Sequence, residues 1–186
     1  MVPQGEKGVR VSDLILKRLA DEGTDTVFLV FGGAMGELAD AFTRQDRVRY
    51  VCAQHEQGAV FMAEGYAKAR GVPGVVLVTS GPGGGNIVTG LQNCYYDSTP
   101  LIAITGQVSK NLIRPKGSKL RQLGFQEAPM VDIARPVTKY AVLVEGPAHA
   151  TYCIETALQE ATYGRPGPVL LDIPLDVQRA EVCDEH

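Results

Sequence analysis

The chain has 186 residues, 45% of them hydrophobic and 21% charged, a composition that predicts one globular domain with a sizeable core. Its net charge of -3 offers no basic footprint for nucleic acid. No apolar run is long enough to span a bilayer, and the polar stretch Met1–Arg10 lacks the apolar core of a signal peptide, so a cytoplasmic location is expected.

In chain order, Ser12 is placed to cap a helix whose apolar positions include Leu14, Ile15, Leu16 and Leu19, with Gly23 as its stop. Thr26–Phe31 is a continuous apolar run and predicts a strand buried on both faces. Gly32 and Gly33 turn the chain, and Glu37–Arg44 returns as a helix. Val48–Cys52 predicts a second strand. It leads into Ala53–Tyr66, AQHEQGAVFMAEGY, where Ala59, Val60, Ala63, Tyr66 and Ala67 define one apolar helical face. Glu56 lies three and four residues before Ala59 and Val60, so it belongs to that face at the first turn. A buried carboxylate is costly unless paired, which makes Glu56 a candidate proton-handling group. An acid at a helix N-terminus can equally serve only the helix dipole.

Gly74–Thr79 predicts the third strand, Ser80–Asn86 a glycine-rich turn, Ile87–Tyr96 a helix and Leu101–Thr105 the fourth strand. Gly106–Pro129 is a long polar segment with Lys110, Arg114, Lys116, Lys119 and Arg121. It could close over substrate carboxylates, contact a partner chain, or be solvated surface. Met130–Ala134 predicts helical turns, Val137–Val144 a fifth strand, and Pro147–Tyr163 a helix with Ala150, Ile154, Ala157, Leu158 and Ala161 inward. Pro168–Ile173 is the last strand, and the tail after Asp176 is polar. Strands alternating with helices imply an α/β fold of three α/β/α layers around a mostly parallel six-stranded sheet.

The four cysteines and three histidines have neither metal-ligand nor redox spacing, so no metal site is expected on this chain, and a reducing compartment is the default. The glycine-rich segment Thr79–Asn86, TSGPGGGN, joins a strand to a helix, where open α/β sheets bind ligands. It lacks the third glycine of a dinucleotide fingerprint and the lysine of a phosphate-binding P-loop. Pro82 suits the edge or face of a flat heterocycle better than a phosphate, and Asn86 ends the segment with an amide.

Over His55–Val108, through Gly124–Glu127 and Arg135–Lys139, and through Gly164–Val177, the chain resembles the N-terminal, pyrimidine-binding domain of thiamine-diphosphate enzymes. The nearest branch is that of acetolactate synthases and pyruvate oxidases. The resemblance implies that Glu56 is the catalytic glutamate that hydrogen-bonds N1′ of the aminopyrimidine. The 4′-amino group, in its imino form, then takes the C2 proton of the thiazolium ring. Pro82 and Asn86 match residues packed beside the pyrimidine, and Gly32 and Gly33 a glycine pair near the reacting carbon. Phe125 and Gln126 match residues on the substrate side; His55 is assigned no proton transfer. The implied reaction is decarboxylation of a 2-oxo acid followed by carboligation or acyl transfer.

The family's diphosphate-binding domain, with its Gly-Asp-Gly start and the ligands for Mg2+, has no match here, and Gly-Asp-Gly does not occur in the chain. The resemblance therefore implies half a site within 1–186, completed by a diphosphate-binding subunit or domain, in a hetero-oligomer if that half is a separate chain. Candidate interface residues lie on the Glu56 helix and on Ile87–Tyr96. A start at Met1 and a short polar tail favour a natural small subunit over an excised domain of a longer enzyme. A non-catalytic binding or regulatory subunit of the same fold is the alternative. Two departures from the acetolactate synthase pattern stand out. Val30-Phe31 replaces Tyr-Pro before the glycine pair, and Leu175 replaces a lysine. The second puts acetolactate formation and FAD binding in doubt.

Overall fold

A computed structural model of the protein describes residues 8–183; His186 and most of the Met1–Arg10 stretch lie outside the described residues. Strand β1 (Val9–Arg10) leads directly into helix α1 (Val11–Asp21). Ser12 does not cap this helix. It sits inside the first turn, fully buried, with its Oγ unpartnered, and Arg10 occupies the cap position without a side-chain bond. The first orphan amide, Val11 N–H, instead donates to Ala180 O at 2.9 Å, so a distant segment performs the capping that a local hydroxyl was expected to perform.

Next come β2 (Thr26–Leu29), α2 (Gly36–Ala41), β3 (Arg49–Cys52) and α3 (Glu56–Arg70). Strand β4 (Gly74–Val78) is followed by α4 (Pro82–Asn86), α5 (Val88–Asp97) and β5 (Leu101–Gln107). After the long segment come α6 (Met130–Ala134), β6 (Tyr140–Leu143), α7 (Pro147–Thr162) and β7 (Pro168–Pro174). The last elements are α8 (Leu175–Gln178) and β8 (Glu181–Val182).

The main sheet runs β3-β2-β4-β5-β7-β6, and every neighbouring pair is parallel. The expected strand at Val137–Val144 begins later, at Tyr140, because Arg135–Val137 forms a 3-10 turn around Pro136, which has no amide to give a ladder. The tail after Asp176 is structured: β8 pairs antiparallel with β1, and Gln178 Nε2, fully buried, donates to Ala34 O and Ile173 O, both at 2.7 Å.

Successive strand residues point to opposite faces. Val27, Leu29, Val75, Leu77, Ile102, Ile104, Val169 and Leu171 meet α1, α2 and α7. Val76, Val78, Leu101, Ala103 and Leu170 meet α3, α5 and α6. Two packing contacts leave no room for a side chain. A Cβ on Gly74 would lie 2.1 Å from Ala63 O, and one on Gly90 would lie 2.4 Å from Val60 Cγ1. These approaches set α3 against the sheet and α5 against α3.

Candidate functional site

From β2 the chain turns toward α2 on one face; from its neighbour β4 it turns toward α4 and α5 on the other. Such a divergence opens a crevice at the carboxyl ends of the strands. Gly32 and Gly33 stand at the β2 side, Ser80–Asn86 at the β4 side, and Glu56 beside them at the start of α3.

Helix α3 begins at Glu56 because His55 caps it: Nδ1 of His55 accepts from Gln57 N–H at 3.2 Å. This gives His55 a structural duty and leaves Glu56 in the first turn. Glu56 is half-buried. Its Oε2 accepts a hydrogen bond from Asn86 Nδ2 at 3.0 Å, across 30 residues of sequence. Its Oε1 faces Gly83, where an added Cβ would lie 3.5 Å from that oxygen and 2.9 Å from Thr79 Cγ2.

The glycine-rich segment is not a simple turn. From Pro82 it is helical, with Pro82 at the N-terminal position that needs no amide and Gly81 as the cap residue at φ 63°. Glycines make a poor helix, but packing selects them here. A Cβ on Gly84 would fall 2.7 Å from Met130 Sδ, and one on Gly81 would fall 2.5 Å from Gln126 O.

Thr79 links the two walls. Its Oγ1 accepts from Ala34 N–H at 3.2 Å, and a Cβ on Gly32 would collide with its side chain at 2.4 Å. Ala34 O is held in turn by Gln178. Gly33 faces open space. Gln126 sits against Gly81 in the left-handed region at φ 57°, which costs a non-glycine residue about 1–3 kcal/mol. Phe125, beside it, is 83% exposed. Glu56, Pro82, Asn86, Gly32 and Gly33 thus gather around one crevice, with Gln126 at its rim and Phe125 pointing to solvent. Leu175 opens α8, half-buried.

Sequence reasoning did not reach Thr79, Glu64 or the pair Gln107 and Asp172. Glu64 is buried and accepts from Asn93 Nδ2 at 2.9 Å and Lys68 Nζ at 2.6 Å, tying α3 to α5. Asp172, 2% exposed, accepts from Thr105 Oγ1 at 2.7 Å and Gln107 Nε2 at 3.0 Å. Burial pushes its carboxyl up to about 6. The signal for Asp172 was present in the sequence, as a lone acid inside the apolar run PVLLDI. Among the described residues no group of three or more His, Cys, Asp or Glu could hold a metal ion, and no helix is long and apolar enough to cross a membrane.

Comparison with known proteins adds one family match and three relatives. The family described as "Thiamine pyrophosphate enzyme, N-terminal TPP binding domain" matches residues 9–133. The chloroplastic acetolactate synthase of Arabidopsis thaliana is 45% identical over 168 residues, which cover 90% of this chain and 24% of that protein. The acetolactate synthase large subunit of Lactococcus lactis subsp. lactis is 42% identical over 179 residues, covering 96% and 30%. The mitochondrial acetolactate synthase catalytic subunit of Saccharomyces cerevisiae is 42% identical over 173 residues, covering 93% and 24%. The chain therefore spans only 24–30% of the length of these curated relatives.

Proposed function

Since the chain belongs to the thiamine pyrophosphate enzymes, carrying their N-terminal TPP binding domain, we propose that Glu56 hydrogen-bonds N1′ of the cofactor's aminopyrimidine and supports catalysis on a 2-oxo acid. The observation that carries this reading is the orientation of Glu56: one oxygen tied to Asn86, the other directed over Gly83. The bare backbone of Gly33 faces open space at this crevice and suits the close approach of a flat ring, with Pro82 as a stiff apolar edge. In this role Glu56 shares a proton with N1′, and the Asn86 amide holds the carboxylate in place while it does so. When bound, the cofactor supplies an electron sink for the carbon from which CO2 departs. The overall reaction we propose is decarboxylation followed by carboligation or acyl transfer.

The same reading makes 1–186 one pyrimidine-binding domain that needs a diphosphate-binding domain or subunit, with Mg2+ held there. Supporting it, the relatives are three to four times longer, and helix α3 turns large apolar side chains to solvent as well as to the core. Its outward residues Phe61 and Met62 are 43% and 44% exposed, and Gly58 and Gly65 face open space. Large apolar side chains grouped on a surface mark an interaction site, so we assign this face, with Tyr95 and Tyr96 of α5, to the partner domain. The four cysteines carry thiols and form no disulfide among the described residues, which suits a reducing, cytoplasmic compartment. Leu175 brings no cation where the resemblance expects a lysine, which counts against a flavin beside this site.

The test is reconstitution with a diphosphate-binding partner, thiamine diphosphate and Mg2+, assayed for decarboxylation of pyruvate. Glu56→Gln should lower turnover by about 100-fold or more, the scale of lost acid–base assistance. Unchanged turnover in Glu56→Gln would refute the role of Glu56. Turnover by the wild-type chain without a partner would refute the half-site.

A further inference from the structure

The sheet diverges a second time. From β5 the chain turns to α6, whose Met130 and Ala134 pack on one face. From the adjacent β7 it turns to α8, whose Val177 packs on the other. The crevice rule that places the first site applies equally here. Beyond the carboxyl ends of β5 and β7 lies a cavity of about 300 Å3, at the small end of ligand pockets. None of Glu56, Gly32, Gly33, Pro82, Asn86, Phe125 and Gln126 lines it.

Its most buried polar lining residues are Gln107 and Asp172, each 2% exposed. Gln107 has both amide hydrogens engaged, one on Asp172 Oδ2 and one on Ala128 O at 2.8 Å. Each Asp172 oxygen accepts one hydrogen bond and can accept another. The floor therefore presents acceptors and no spare donor. The rim is the reverse. Arg114 donates to Leu120 O at 2.8 Å, leaving most of its five donors, and Lys116 stands beside it on the basic segment. Between floor and rim the walls are apolar, with Ile113, Met130, Val131 and Leu143 among them.

We propose that this cavity binds a small aliphatic amino acid as a zwitterion, its ammonium group donating to Asp172 and its carboxylate turned toward Arg114 and Lys116. Charge supports both ends. The lining carries three carboxyl groups, on Glu127, Asp132 and Asp172, against two cations, so a bare carboxylate such as the 2-oxo acid of the first site is disfavoured. Both hydrogen-bond donors to the Asp172 side chain are neutral, and an ammonium group would supply the counter-charge that a buried carboxylate needs. The Glu127 carboxylate already accepts from Leu123 N–H at 3.0 Å, which holds the segment that forms the rim.

The experiment is titration of this chain at pH 8 with L-norvaline and 5-aminopentanoate, followed by shifts in the backbone NMR signals of 128–131. Pentanoate and pentylamine are the single-charge controls. At least one amino acid should saturate below about 20 mM, with both controls weaker by about tenfold or more. Asp172→Asn should abolish the saturable response. A second variant, Arg114→Gln with Lys116→Gln on the exposed loop, should weaken it about tenfold without touching the core. A control binding as well as the amino acids, no saturable binding by the wild type, or full binding by the loop variant would each overturn the proposal.

Discussion

Asp172→Asn should make the protein more stable at neutral pH, by an amount the structure bounds. Asparagine has the same shape, and its amide can accept from Gln107 while donating to a rotated Thr105 hydroxyl, so the contacts survive without the charge. Burial raises the Asp172 carboxyl from the ordinary 3.8 to about 6 in the fold, so the folded state favours the protonated form. The stability this confers is fully present below pH 3.8 and is lost as pH rises through about 6. At about 1.4 kcal/mol for each tenfold change in proton activity, the interval corresponds to about 3 kcal/mol. Urea unfolding of wild type and Asp172→Asn, measured side by side from pH 4 to pH 8, isolates this group from every other titration. The variant's advantage should grow by about 2–3 kcal/mol across that range and level off above pH 7. A difference that stays flat, or that narrows as pH rises, would refute the reasoning.

Packing yields a paired test on glycines. Gly74→Ala drives a Cβ into the Ala63 carbonyl and should cost about 1–3 kcal/mol or more in thermal or urea unfolding. Gly65→Ala meets nothing within 4 Å and should stabilise the chain by about 0.5–1 kcal/mol, while weakening association with a diphosphate-domain partner in sedimentation. Thiol labelling at pH 8 should modify exposed Cys52 first. Cys94, fully buried and with its thiol pushed up to about 12, should react only as the chain unfolds.

The order of the six main strands and their helices was legible because each is marked locally, by an apolar run or a period of three and four. Val75–Val78 and Leu101–Ile104, buried on both faces, left no ambiguity. What misled were places where a distant partner outweighs local chemistry. Ser12 has the right residue type for a cap, yet Ala180 performs that task from the far end of the chain. The glycine run has the sequence of a turn, and its helicity comes from Met130, Thr79 and Gln126 closing around it, which no period reveals. Glu56, Pro82 and Asn86 were found through a resemblance carried by ordered motifs. The bond between Glu56 and Asn86 is not visible in either segment alone. Thr79 and Gln178 were missed for the same reason: their partners lie 45 and 144 residues away.

The strand order has a consequence for how the molecule is made. Strand β7 is the last of the six in chain order, yet it lies between β5 and β6, and among the described residues β6 has no other neighbour in the sheet. Until residues 168–174 leave the ribosome, β5 presents an open edge and β6 has nothing to pair with. Pairings of such long sequence separation form slowly, and an unfilled slot in a parallel sheet is a place where nascent chains aggregate. Synthesis rate just beyond this strand, and chaperone access to it, should therefore govern the yield of folded protein more than any event in the first hundred residues.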